Sequence, residues 1–401
     1  MNIIIISQYY FPEQFQINEI APELVKRGHE VTVLCGVPNY PQGKIFEGYE
    51  DDSKLEEIKD GVRIIRVKQK PRGNNILTLI RNYFSFVKEG NKAIKSLVGD
   101  FDVVIGYQLS PITSMIPAVK FAQQHKIPLL LYVLDIWPVS GQSHLPIKTG
   151  LVFHWLKRIS KKIYNAADRI LVSSRPFIDY LKTENGIEIN KLEYLPQHAD
   201  EGMLEKDLQR EKSETVNFMY AGNLGKGSTL EVIIKAAKEL GKRNDYKIHF
   251  VGDGSQRKNL EGLVKDYNLE RNIIFHGAHA RQKMPEFYKM ADALLITLRG
   301  NNAVGDTMPG KLQMYMTTGK PILGAINGAA KEVIEESKCG RCVKAGDYKG
   351  LSELMDDFIN RQENYTECGK NAQEYFKKNF TLEKFMDGLE KSLEELSSNT
   401  L

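Results

Sequence analysis

The sequence predicts two doubly wound α/β domains in tandem, and three observations carry that reading. A chain of 401 residues has the length of two or three domains at roughly 100–200 residues each. Apolar runs of strand length alternate along it with stretches of helical spacing, the pattern of a parallel sheet with crossover helices. That pattern lapses once, near the middle of the chain, and then resumes.

The first run, Ile3-Ile4-Ile5-Ile6, is long enough for a buried strand and too short for a helix. Helical spacing over residues 17–27 follows and stops at Gly28, a residue type that closes helices readily. Val31-Thr32-Val33-Leu34 is then a second strand, and a strand, a helix and a strand in so short a span require a right-handed parallel crossover. Residues 62–67, 103–105, 129–133 and 170–172 continue the series, so residues 1–197 are expected to form the first domain. Residues 198–212 are polar and charged without apolar periodicity and read as a linker. Strand patterns at 217–221, 247–251, 273–275, 293–298 and 321–323 place a second doubly wound domain over 213–381. The amphipathic C-terminal stretch 382–401 is expected to pack back on the first domain.

Composition narrows the class. With 42% hydrophobic and 26% charged residues, 32 Gly and 15 Pro, the chain is neither disordered nor fibrous. Its apolar runs fall short of the roughly 20 residues that cross a bilayer, so no transmembrane helix is expected. Met1-Asn2 leads straight into a strand pattern with no basic start, which predicts a cytoplasmic protein without a signal peptide. Residues 1–200 carry 25 Lys and Arg against 21 Asp and Glu, and residues 201–401 carry 30 against 30, an excess too small to point to nucleic acid. Of four cysteines only Cys339 and Cys342 are close, with no second pair to complete a zinc site, and they read as structural.

Three motifs carry chemistry. After the strand Phe218-Met219-Tyr220, Gly222-Asn223-Leu224-Gly225-Lys226-Gly227 opens a helix near Ser228. Its glycines admit close approach to a backbone, and Lys226 adds a charge, which reads as either a phosphate-binding turn or an ordinary tight turn. It lacks the spacing of a Walker loop. A second turn, Gly252-Asp253-Gly254, has Arg257 where a dinucleotide fingerprint needs its third glycine. The third element, Asp306-Thr307-Met308-Pro309-Gly310-Lys311-Leu312, puts Pro at a helix start with a lysine beside it. Two such helix ends match the two phosphates of a nucleotide diphosphate, although Lys311 alone equally suits a solvated helix position. In the first domain Gln8-Tyr9-Tyr10-Phe11-Pro12-Glu13 and Asp135-Ile136-Trp137-Pro138 follow strands at the ligand end of the sheet. There an acid and an indole suit a hydroxyl-rich ligand as readily as they suit core and capping roles.

Taken together, residues 7–13, 26–34, 38–43, 135–138, 195–197, 220–226, 309–315 and 319–321 resemble, over nearly the whole chain, the bacterial branch of family 4 glycosyltransferases that builds capsule, O-antigen and exopolysaccharide units. The resemblance implies the GT-B fold, two Rossmann-like domains facing a central cleft, and a retaining transfer from a nucleotide diphosphate sugar, a UDP-sugar here, to an acceptor hydroxyl. It implies no cofactor and no metal, helix dipoles and lysines meeting the leaving diphosphate instead. On it, Lys226, Lys311, Asp306 and Asp135 are the expected catalytic residues. Gly222, Asn223, Gly225, Gly252, Gly254, Thr307, Met308, Pro309, Gly310, Leu312 and Met314 join the two lysines around the donor. Gln14, Gln16, Gln108 and Trp137 are expected to meet the acceptor, a saccharide or a polyprenyl-diphosphate-linked saccharide. This chain departs from the family pattern in having Asp306 and Met314 where two glutamates are usual, Gln14-Phe15-Gln16 in place of a glycine-rich loop, and Val139 where an acid commonly follows Trp-Pro.

Residues 148–163 hold five Lys and Arg and no acid, and residues 66–95 hold eight against one. Peripheral binding to an anionic inner membrane face through Trp155, Lys157, Arg158, Lys161 and Lys162 is therefore expected, against the alternative of helices packed on their own sheet. Two other functions are weighed. A non-catalytic sugar-nucleotide-binding protein is suggested by Met314, and a sugar-nucleotide epimerase would draw on His198 and His276.

Overall fold

The apolar runs become the inner strands of two sheets in the computed structural model, which describes residues 1–73, 75–140, 150–211, 213–300 and 308–398. One unit comprises residues 1–197 with 382–401, the other residues 198–381.

In the first unit the order is β1 (Asn2–Ile6), α1 (Ile17–Lys26), β2 (Glu30–Gly36), β3 (Glu56–Lys59), β4 (Val62–Val67), α2 (Ile76–Ser96), β5 (Val103–Gln108), α3 (Ile116–His125), β6 (Leu129–Val133), α4 (Leu151–Asn165), β7 (Arg169–Val172), α5 (Pro176–Asn185) and β8 (Leu192–Tyr194). The strands form one sheet in the order β3-β4-β2-β1-β5-β6-β7-β8. β3 alone is antiparallel, joined to β4 through Asp60-Gly61, both at positive φ as an Asp-Gly hairpin turn requires. Helices cover both faces of β1, β5 and β6, which is why those strands read as unbroken apolar runs. The order reverses between β1 and β5, and a doubly wound sheet binds ligands beyond the carboxyl ends of its strands at that point.

The C-terminal helix α13 (Leu382–Ser398) buries Phe385, Met386, Leu389 and Leu393 in the core built by Ile3, Ile17, Leu24 and Val31. Arg27 ties it down through Asp387 at 3.0 Å and Glu390 at 2.6 Å.

The second unit holds β9 (Val216–Ala221), α6 (Glu231–Leu240), β10 (Tyr246–Val251), α7 (Arg257–Asp266), β11 (Ile273–Gly277), α8 (Met284–Met290), β12 (Ala293–Thr297), α9 (Gly310–Thr317), β13 (Ile322–Ala325), α10 (Gly328–Ser337), β14 (Gly340–Val343), α11 (Tyr348–Asn360) and α12 (Cys368–Asn379). Its sheet is parallel throughout, in the order β11-β10-β9-β12-β13-β14, and reverses between β9 and β12.

Of the expected linker 198–212, residues 198–211 pack with the second unit. Met203 and Leu208 are buried in the second unit's core beside Met219 and Leu294, and Arg210 pairs with Asp292. Two buried apolar side chains among many charges were too few to make a visible period. The four cysteines are free, and burial pushes the Cys339 and Cys342 thiols up to about 12 and about 11.

Candidate active site

At the reversal point of the second sheet two glycine turns interlock. The Gly222 amide donates to the Val251 carbonyl at 2.8 Å, Leu224 to Asp253 at 2.9 Å, and Gln256 back to Leu224 at 2.9 Å. Gly222 and Gly252 sit at φ +138 and +140, and a Cβ on Gly252 would lie 2.0 Å from the Gly222 oxygen. A Cβ on Gly254 would meet Asn223 Oδ1 at 2.5 Å. Gly252 and Gly254 thus brace the first turn from below, and the Gly222 amide is spent inside the fold. For these three glycines, expected around the donor, the structure shows the bracing role. The amides of Gly225, Lys226 and Gly227, by contrast, have no internal acceptor among the described residues. They open a 3-10 turn over Lys226–Ser228, and α6 starts only at Glu231, later than the glycine pattern suggested. Lys226 and Asn223 are exposed there.

Lys311, the second residue of α9, reaches back over this turn. Its Nζ is buried without a hydrogen-bond partner among the described residues and lies 3.2 Å from the Tyr220 ring centroid. A Cβ on Gly222 would come within 2.8 Å of that nitrogen, so the glycine makes room for it. Burial pulls the ammonium down to about 7, because a charge taken out of water favours its neutral form. A buried cation with no anion among the described residues is costly, and an anion bound beside it would relieve that cost. Two tyrosines that the sequence reading passed over hold this geometry. The Tyr220 hydroxyl bridges the Asn223 carbonyl at 3.0 Å and Ser228 Oγ at 2.9 Å, and the Tyr315 hydroxyl accepts from the Ala221 amide at 2.8 Å. Tyr220, as the last aromatic before a glycine turn, was the one available signal.

Other donor expectations divide. Pro309 caps α9, Gly310 is exposed, and Met308 and Met314 are half-buried. Leu312 does not face a ligand: its side chain is in the core and its amide donates to the Pro309 carbonyl at 2.9 Å. Asp306 and Thr307 lie outside the described residues. His276 stacks on His249, with Nε2 and Nδ1 2.9 Å apart, on the edge strand β11, two strands away from the reversal point and from Lys311. That separation removes it from any compact epimerase cluster.

In the first unit the loops after β1, β5 and β6 meet. Gln108 is fully buried and donates to the Asp135 carbonyl at 2.7 Å, so its amide group holds the loop and is not open to an acceptor. Trp137 is buried as well, its indole N–H donating to Ser110 Oγ at 2.9 Å while that hydroxyl serves the Asp135 carboxylate. The expected stacking face is therefore absent, and Trp137 orients Asp135, which itself stays partly exposed. Gln14 is exposed, and Gln16 sits half-buried at the N-cap of α1. Glu13, quoted only as part of a motif, clamps two loops together: its Oε1 accepts the Asn39 and Tyr40 amides at 2.7 Å each, and burial pushes its carboxyl up to about 7.

The basic helices show matching outer stripes. On α4, Leu151, Trp155, Arg158 and Lys162 are exposed at helical spacing; on α2, Leu77, Arg81, Phe84 and Lys88 are. Both helices contact the turn Ile112–Met115. Lys161 is also exposed, whereas Ile163 is core and Lys157 is engaged by Glu184 at 2.7 Å. No helix among the described residues is long and apolar enough to cross a membrane.

Known proteins share this arrangement. Residues 15–201 match the Glycosyltransferase Family 4 model and residues 205–375 the Glycosyl transferases group 1 model. An uncharacterized glycosyltransferase of Methanocaldococcus jannaschii is 23% identical over 99% of both chains. A glycosyl transferase assigned to colanic acid biosynthesis in Escherichia coli is 24% identical over 80% of this chain and 82% of its own. Among solved structures, sucrose-phosphate synthase of Thermosynechococcus elongatus superposes with a TM-score of 0.75 at 16% identity over 99% of each chain. Anabaena HepE in complex with UDP superposes at 0.71 and 14% identity over 98% of this chain and 100% of that one. With one family model over each half and two Rossmann-like units in the matching order, the chain is a glycosyltransferase of the GT-B type.

Proposed function

We propose that this glycosyltransferase moves a sugar, with retention of anomeric configuration and without a metal, from a UDP-sugar to a hydroxyl of a lipid-linked saccharide in surface polysaccharide assembly. The observation that carries the reading is the buried ammonium of Lys311, without a hydrogen-bond partner among the described residues, packed at Gly222 at the head of a turn whose Gly225, Lys226 and Gly227 amides are unpaired among the same residues. That set suits a diphosphate: a fixed cation, backbone donors and the mobile charge of Lys226. The bond from the anomeric carbon to the diphosphate oxygen breaks as the acceptor oxygen bonds to the same face of that carbon. The acceptor proton passes to the departing phosphate oxygen. Asp135, held by Ser110, is suited to accept a hydrogen bond from a sugar hydroxyl. The relative bound to UDP and the relative in colanic acid biosynthesis support the choice of donor and of pathway class. The outer stripes of α2 and α4 support seating at an anionic membrane face, where such an acceptor resides.

The decisive experiment is a calorimetric screen over UDP-, GDP- and ADP-sugars, followed by transfer assays on Lys226→Ala and Lys311→Ala. Each substitution is expected to raise the barrier by about 2–4 kcal/mol, as for other lost electrostatic donors. Unchanged rates in both variants would sink the assignment. NMR of the product linkage decides retention.

A further inference from the structure

Arg72 occupies an unusual position in the first unit. Its amide donates to Asn39 Oδ1 at 2.9 Å, and the next residue, Gly73, donates to the Gly43 carbonyl at 2.9 Å, so the loop is pinned at two points. Asn39 is in turn fixed by Glu13. The guanidinium stacks on the Tyr40 ring at 5.2 Å and hydrogen-bonds Tyr9, inside a cluster where Tyr9, Phe15 and Tyr40 rings pack within 5.6 Å of one another. Among the described residues no carboxylate pairs with it. A guanidinium held this firmly, half-buried and without an anion, is preorganised for a planar two-oxygen contact such as a phosphate offers.

Its neighbours decide which phosphate. Tyr83 feels the charges of both Arg72 and Asp135, so the three share one part of this unit. Four residues beyond Arg72, α2 opens with Ile76 and Leu77, 45% and 69% exposed. A carboxylate, a cation and an apolar surface thus lie in the same region. A ligand that meets all three carries a sugar, a phosphate and a hydrocarbon chain.

We infer that Arg72 seats the phosphate that joins sugar to lipid in the acceptor, and so selects an isoprenoid-type phosphosugar over a neutral glycoside. The inference deepens the proposed transfer and rests on it. Arg72 is a binding residue here and takes no part in bond making.

The test uses the full chain saturated with UDP, so that the donor site is filled, and titrates it calorimetrically with farnesyl diphosphate, farnesol and inorganic diphosphate. Farnesyl diphosphate is expected to bind at least tenfold more tightly than either fragment. Arg72→Ala should lose at least tenfold of that affinity, and Arg72→Lys, which keeps the charge without the fork, should fall between, with UDP affinity and unfolding midpoint unchanged in both. If Arg72→Ala proves unstable, Arg72→Lys decides by itself. Equal binding by Arg72→Ala, or inorganic diphosphate binding as well as farnesyl diphosphate, overturns the inference. A wild type that binds UDP and ignores farnesyl diphosphate also overturns it while leaving the transferase reading intact. A wild type that ignores UDP defeats the transferase reading instead, and the farnesyl diphosphate titrations, run without UDP, still decide Arg72.

Discussion

The Lys311 ammonium rests 3.2 Å from the ring centre of Tyr220, the residue whose hydroxyl ties the glycine turn to Ser228. The π-face offers the cation partial compensation, yet burial still brings the group down to about 7 from its ordinary 10.5. The native chain therefore binds fewer protons than the unfolded chain between about pH 7 and 10.5, and stability rises with pH across that window. Binding of a diphosphate favours the charged form and has the opposite sign. At pH 8 UDP should draw close to one proton onto the protein, and its affinity should weaken as pH climbs past 7. Calorimetry in two buffers of different ionisation enthalpy measures the uptake. Lys311→Met should abolish the protein's share of it, and identical uptake by wild type and Lys311→Met would refute the role.

Gly252 and Gly262 make a controlled pair. At Gly252 an added methyl meets both a φ of +140 and the Gly222 oxygen at 2.0 Å, so Gly252→Ala should cost about 2–4 kcal/mol. That corresponds to a fall of roughly 5–15 °C in the melting midpoint of the second unit, together with lost UDP binding. Gly262 lies within α7 with open space around it, and Gly262→Ala should stabilise by about 0.5–1 kcal/mol. Thermal unfolding with and without UDP checks both, and equal midpoints for the two variants would dismiss the bracing role.

Glu13 titrates against the fold. Its carboxyl is pushed up to about 7 from 4.5 mainly by burial, with only part of the cost recovered from the Asn39 and Tyr40 amides. The native state thus holds a proton that the unfolded state releases between about pH 4.5 and 7, and stability falls as pH rises through that range. Glu13→Gln keeps the acceptor oxygen and removes the charge. It should be more stable than the parent at pH 8 by about 2–3 kcal/mol and equal to it near pH 4.5. Denaturant midpoints at the two pH values give the answer; a destabilised Glu13→Gln at pH 8 would mean that the carboxylate has a counter-charge in solution.

What could be read from the chain follows from how local each feature is. β1, β2 and β9 were legible because strands covered on both faces must be apolar at every position. The turn at Gly222 and the start of α9 were legible as a glycine turn and a proline-led helix start, but the meeting of Lys311 with Tyr220, 91 residues apart by number, was not. Trp137 was misread because its partner Ser110 lies 27 residues upstream and turns the indole inward. β3 was hidden because an edge strand reading Glu-Glu-Ile-Lys has one face in water and almost no apolar signal, leaving Asp60-Gly61 as its only mark. Arg72 stood out only as one of many cations until Asn39, Tyr9 and Tyr40 gathered around it.

The proposed membrane seating turns on the outer stripes of α4 and α2. Each nearby cation contributes about 1 kcal/mol at an anionic surface, and Arg158, Lys161 and Lys162 are exposed with no ion pair among the described residues, whereas Lys157 is already engaged by Glu184. Replacing the first three by Glu removes about 3 kcal/mol of attraction, roughly a hundredfold in partitioning, before any repulsion is counted. Lys157→Glu alone should do far less. Trp155, 47% exposed on the same stripe, supplies the part that salt does not screen, so Trp155→Ala should weaken binding at every ionic strength. In flotation with vesicles rich in anionic lipid the parent should rise with the lipid at low salt and lose much of that binding at about 0.5 M, where charges reach only a few ångströms. A parent protein that stays at the bottom at low salt, or a triple-Glu variant that floats as well as the parent, would leave these stripes as the solvated faces of two packed helices.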